Sequence, residues 1–168
     1  MKIRILSILS LITLSGGHLS AGPLELDNVS AQANWMIHVD FEGLLKTDVG
    51  QFVLAEIKKQ PNAKRQLAGI KAAFGVDIEG LGNLTAFGRG EDEKGIVIAS
   101  GGFNAKQLEG FVALNEKIET STHAGKTIYS EKKKAFAIID EDTIVAGTGA
   151  DYVKHGIDVL TRKQPSRD

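Results

Sequence analysis

Polar and apolar residues alternate over residues 34–42. Trp35, Ile37, Val39 and Phe41 fall on one side, and His38, Asp40 and Glu42 on the other. Successive strand side chains point to opposite faces, so this period of two predicts a half-buried strand with the tryptophan side inward. The period then lengthens. Val49, Phe52, Val53 and Ile57 share one face of a helix that starts near Thr47 or Asp48 and stops at Pro61, with Lys58 and Lys59 in its last turn. A second helix is expected over 63–74, with Leu67, Ile70 and Phe74 inward and Gly75 as its stop.

Next comes the most legible unit of the chain. A strand over 84–89, a charged turn over 90–94 and a second strand over 95–100 read as a hairpin. Gly101 and Gly102 break it, and Asn104 caps a helix carrying Leu108, Phe111 and Val112. Strands over 117–124 and 126–131 are joined by Ala124-Gly125, and Lys132–Lys134 makes an exposed turn. Residues 135–139 and 143–146 are apolar on both faces, as in central strands covered twice. Gly147-Thr148-Gly149 leads into a last helix with Tyr152, Val153, Ile157 and Leu160. Residues 164–168 form a polar tail. The strand, glycine break and helix at 99–112 are echoed at 145–157 in pattern but not in identity.

This order predicts an α+β domain over 34–163. About seven strands make a mixed, mainly antiparallel sheet with the helices on one face, in an extended ferredoxin-like (split βαβ) order. The other face is left partly open.

The chain start changes the picture of where the domain works. Lys2 and Arg4 precede an apolar run over 5–14, and small residues follow up to Ala21. The run is too short to span a bilayer and fits a signal peptide over 1–21. Ala31-Gln32-Ala33 obeys the small-x-small rule but lies far from the run, so cleavage is placed after Ala21. Residues 22–33 then form a flexible leading segment. The expected product is periplasmic or secreted, with no stable membrane insertion after cleavage.

Removing Lys2 and Arg4 makes the formal charge of −1 more negative by two. Nothing in that balance attracts nucleic acid. There is no cysteine, so disulfides, thiolate catalysis and cysteine metal sites are excluded.

Candidate chemistry is sparse. His38, Asp40 and Glu42, two residues apart on one strand side, have the ligand types of a divalent-metal or acid–base site. No further ligand motif such as HExxH accompanies them, and the same pattern describes a solvated strand face. Gly101, Gly102 and Asn104 present a helix N-terminus that could hold an anion. They match neither a P-loop nor a dinucleotide fingerprint, and glycines that merely turn the chain look the same. The acidic turns at 91–93 and 140–142 lack the EF-hand spacing. There is no GxSxG elbow, and His123 and His155 read as isolated surface residues. No cofactor is implied.

The layout resembles uncharacterised secreted bacterial proteins of unknown function. The resemblance lies in the Val39-Asp40 strand followed by Leu45 through Val49-Gly50, in Gly75-Val76-Asp77-Ile78, and in the strand running into Gly101-Gly102-Phe103. It implies a fold more than an activity. The expectation is an exported, non-catalytic module that binds an envelope protein partner or pairs with itself as a homodimer. The alternative is a small-ligand or metal-dependent enzyme using His38, Asp40 and Glu42.

Overall fold

The computed structural model describes residues 24–77, 79–91 and 94–162. The expected signal peptide and the polar tail lie outside the described residues. Among the described residues there are seven strands: β1 (Trp35–Asp40), β2 (Leu81–Gly88), β3 (Ile96–Gly101), β4 (Glu119–His123), β5 (Lys126–Glu131), β6 (Lys134–Ile138) and β7 (Thr143–Gly147). Five α-helices accompany them: α1 (Phe41–Leu45), α2 (Asp48–Lys59), α3 (Pro61–Phe74), α4 (Ala105–Ala113) and α5 (Ala150–Leu160).

The strands form one sheet in the order β1-β2-β3-β7-β6-β5-β4, and every pair is antiparallel. This corrects the expected mixed sheet and the ferredoxin-like order. A split βαβ arrangement interleaves strands from the two halves of the chain. Here each half stays together, and β1 lies at an edge. Local turn chemistry is one reason. Ala124 and Gly125 take φ values of 49° and 78°, the left-handed pair of a tight two-residue hairpin turn, which locks β4 beside β5. Lys132, at φ 55°, opens the two-residue turn that places β5 beside β6.

The register defines two faces of different character. One cross-strand row runs His38, Thr85, Ile98, Val145, Ala137, Ile128, Ser121. Its five central members are buried. α5 covers this inner face with Val153 and Ile157, and Gly156 lets it approach closely. A Cβ there would lie 2.6 Å from Val145 Cγ1. The segment before β1, expected as a flexible leader, also lies on this core. Val29 and Ala33 are buried in it, and a 3-10 turn at Leu26–Asn28 precedes them.

The opposite, outer face carries Val97, Ala99, Ile144, Ala146, Phe136 and Ile138, all only half-buried. α4 crosses it, so the helices divide between the two faces instead of gathering on one. α1 packs on β2, α2 on α1, and α3 on both α2 and α4.

β1 faces the other way from its expected orientation. Met36 packs on the inner core, while Ile37 is 57% exposed on the outer side. The Trp35 indole lies across Gly88 and Gly95, where a Cβ would come within 2.8 and 3.2 Å of its ring. α2 is rotated for a similar reason. Gly50 sits against the Leu44 carbonyl, which turns Val53, Leu54 and Ile57 inward and leaves Val49 and Phe52 exposed.

Candidate functional sites

Of the concave regions among the described residues, three bear on the candidate side chains or the half-open face. The first is a polar cavity of about 280 Å³ at the end of the inner face. β1 supplies His38 and Asp40, β2 supplies Asn83 and Thr85, β3 supplies Ser100, and Glu42 reaches it from α1. His38 Nδ1 lies 2.9 Å from Thr85 Oγ1. Its Nε2 is buried without a hydrogen-bond partner. Asp40 Oδ1 accepts the Gly43 N–H at 2.8 Å and so caps α1. The strand ends there, and Glu42 belongs to the first turn of α1 instead of continuing the polar side of β1. Its carboxylate pairs with Lys46 at 2.7 Å in an exposed (i, i+4) ion pair. The three residues thus line one cavity, yet two carboxylates have structural roles of their own. Among the described residues no group of three or more His, Asp or Glu side chains is placed to hold a metal ion.

Gly101, Gly102 and Asn104 are placed where the strand-to-helix reading put them. Gly101 and Gly102 take φ values of 75° and 70°. A Cβ on Gly102 would stand 2.6 Å from both the Asp77 carbonyl and the Leu81 nitrogen. Only glycine fits, because Asp77 and Leu81 lie directly over it. The Asn104 side chain accepts the Gln107 N–H at 3.0 Å, and Gln107 Nε2 donates to the Ala72 carbonyl at 2.8 Å. The start of α4 is therefore capped from within and tied to the end of α3.

The second region is the largest, a groove of about 670 Å³ on the outer face beside α4. Trp35, Val97, Phe111, Ile118, Tyr129 and Phe136 form its apolar lining. The Tyr129 and Phe136 rings pack with centroids 5.1 Å apart. Burial, with Glu109 nearby, pushes the Tyr129 phenol above its ordinary pKa. Asn115, Ser130, Glu131, Lys134 and Thr148 add polar groups. Sequence reasoning missed this groove. The two-sided apolar character of β6 and β7 was its signal, but nothing in the pattern says how much of the outer face α4 leaves uncovered.

The third region, about 190 Å³, lies between α5 and the chain before β1, and includes Ser30, Arg89, Asp151, Tyr152 and His155. His155 Nε2 is 2.9 Å from Ser30 Oγ. Burial, and then the Arg89 charge, holds His155 below the ordinary histidine pKa, with Asp158 pulling weakly the other way. His123 Nε2 lies 2.7 Å from Asp158 Oδ1. Neither histidine is an isolated surface residue. The helical spacing of Tyr152, His155, Gly156 and Val159 was the available signal for the first.

No protein-family model matches the chain, and no curated protein sequence does. Its fold is similar to that of TP0453, a Treponema pallidum protein. Three crystal forms, III, IV and I, superpose with TM-scores of 0.56, 0.51 and 0.50 at 11%, 12% and 12% identity. The matches cover 87–88% of this chain and 54–55% of TP0453, so the chain spans about half the length of the solved structures it resembles. The likeness is one of fold alone. No described helix is long and apolar enough to cross a membrane.

Proposed function

We propose that the protein is an exported, non-catalytic binding module that takes apolar side chains of a polypeptide partner into the outer-face groove. One observation carries this reading: α5 and the segment before β1 cover the middle of the inner face, whereas the outer face is half-open, with an aromatic groove of about 670 Å³ beside α4. Grooves of this size with a few polar groups at their margin are the common form of a recognition site. An apolar floor receives side chains, while Asn115 and Thr148 can hydrogen-bond a bound backbone. Export rests on Lys2, Arg4 and the apolar run after them.

A second reading has its own observation, the polar cavity shared by His38, Asp40 and Glu42. A small polar ligand or substrate would bind there.

One experiment separates the two. Wild type, Phe136→Ser and Asp40→Asn are used as bait on envelope extract, after urea titration shows that each variant folds. The expected result is that Phe136→Ser loses a wild-type-specific partner by about tenfold or more, as for a central interface aromatic, while Asp40→Asn keeps it. Trp35, the sole tryptophan, lines the groove and reports binding of the purified partner by its fluorescence. Unchanged capture by Phe136→Ser would sink the groove reading. Loss through Asp40→Asn alone would favour the polar cavity.

A further inference from the structure

The small cavity between α5 and the chain before β1 sets a hydroxyl against an imidazole. Ser30 Oγ lies 2.9 Å from His155 Nε2, and both side chains line the cavity of about 190 Å³. Val29 and Ala33 anchor the segment that carries Ser30 in the core, and His155 projects from the middle of α5. Both partners are therefore held by packed elements. Ser30 is only 3% exposed, so a reagent reaches its hydroxyl through the cavity. The contact has the reach expected of a serine nucleophile and its general base.

The hydrogen bonds at Ser30 suit proton transfer to the ring. The Gln32 N–H donates to Ser30 Oγ at 3.2 Å, so the oxygen already has a donor. With the imidazole proton on Nδ1, Nε2 accepts the hydroxyl proton of Ser30. Burial and the Arg89 charge favour this neutral ring, the form that acts as a base. Arg89 is the cation of the cavity lining, and its charge also favours a developing oxyanion. Asp151, the carboxylate of the lining, is turned to solvent and paired with Lys154 at 3.0 Å. Ala33, Phe87 and Ile96 make an apolar floor.

We propose that Ser30 is a nucleophile that takes a short acyl group from an activated ester, with His155 as its general base. Oγ bonds to the carbonyl carbon while its proton passes to Nε2, and the carbonyl oxygen takes up the negative charge. When the carbonyl re-forms, the bond to the alcohol breaks, and the alcohol leaves with the proton from His155. The product is an ester on Ser30, one per chain. This goes beyond partner binding in the outer groove and requires no turnover, so a module that is not an enzyme can carry it. The apolar floor receives the acyl chain, and the size of the cavity limits that chain to a few carbons.

The probe is para-nitrophenyl butyrate, added to the full chain and read by peptide mass mapping. Native wild type should carry a butyryl group on Ser30. His155→Gln, shown to fold by urea titration, should acylate Ser30 about a hundredfold more slowly, as for loss of a general base. Wild type unfolded in urea should show the same loss, because unfolding parts the two side chains without any substitution. A contact that only ties the segment down would leave Ser30 unlabelled throughout. No butyryl on Ser30 of the native protein, or an equal rate in His155→Gln or in urea, would overturn the proposal.

Discussion

At the scale of the residue, His155 shows how a single side chain can tie an extended segment to the domain. Its ring meets Ser30, and the residues around Ser30 carry Val29 and Ala33 into the core. Burial and Arg89 favour the neutral ring in the folded state. The folded pKa is therefore lower than the unfolded value of about 6.5. Between those two values the unfolded chain binds more protons, so stability falls as pH drops. This contribution is complete above the unfolded pKa and lost as acidification passes through the folded one. The urea midpoint of wild type should decline on going from pH 7 to pH 5. His155→Gln, which keeps a polar partner for Ser30 but cannot titrate, should decline less. Matching pH profiles would show that other groups govern the acid limb.

At the scale of the element, the pattern of the chain located nearly every strand and helix but misjudged which way two of them face. Alternation in β1 separates two sides without saying which is inner. The decision falls to Gly88 and Gly95, which give the Trp35 ring a bed on the outer side, and to Thr85, which satisfies His38 on the inner one. In α2 the apolar residues suggested one stripe, whereas Gly50 sets the contact. Both outcomes depend on a residue with no side chain, which hydrophobic periodicity cannot weigh. A methyl at Gly50 would collide with the Leu44 carbonyl, so Gly50→Ala should cost about 1–3 kcal/mol by overpacking. Gly69 in α3 has open space around its Cβ position. Gly69→Ala should instead stabilise by about 0.5–1 kcal/mol, the usual gain for alanine within a helix. Urea melts of the two variants test this, and shifts of the same sign would refute the assigned roles.

At the scale of the whole molecule, the class and the number of strands were legible, and the sheet order was not. Tight turns declare which strands are neighbours, so β4 through β7 could be read as a meander. Where β4 lands depends on how far α4 carries the chain, and no local residue encodes that distance. The candidate chemistry was legible in a similar partial way. His38, Asp40 and Glu42 do meet at one cavity, but Asp40 caps α1 and Glu42 pairs with Lys46. The outer groove arises from residues distant in sequence, Trp35 with Phe111 and Phe136, and so left no motif.

The same sheet order divides the molecule between chain halves that meet along one seam. Residues before α4 supply β1, β2 and β3, those after it supply β4 to β7 with α5, and β3 against β7 joins them. The loop between α4 and β4 exposes Glu116 and Lys117. A protease nick after Lys117 would cut no strand, and each piece would keep a complete meander. The two pieces should stay associated through the seam and the α5 cover, and recombine after separation in urea. Pieces that part on a sizing column in native buffer would show that the loop is needed to hold the halves in register.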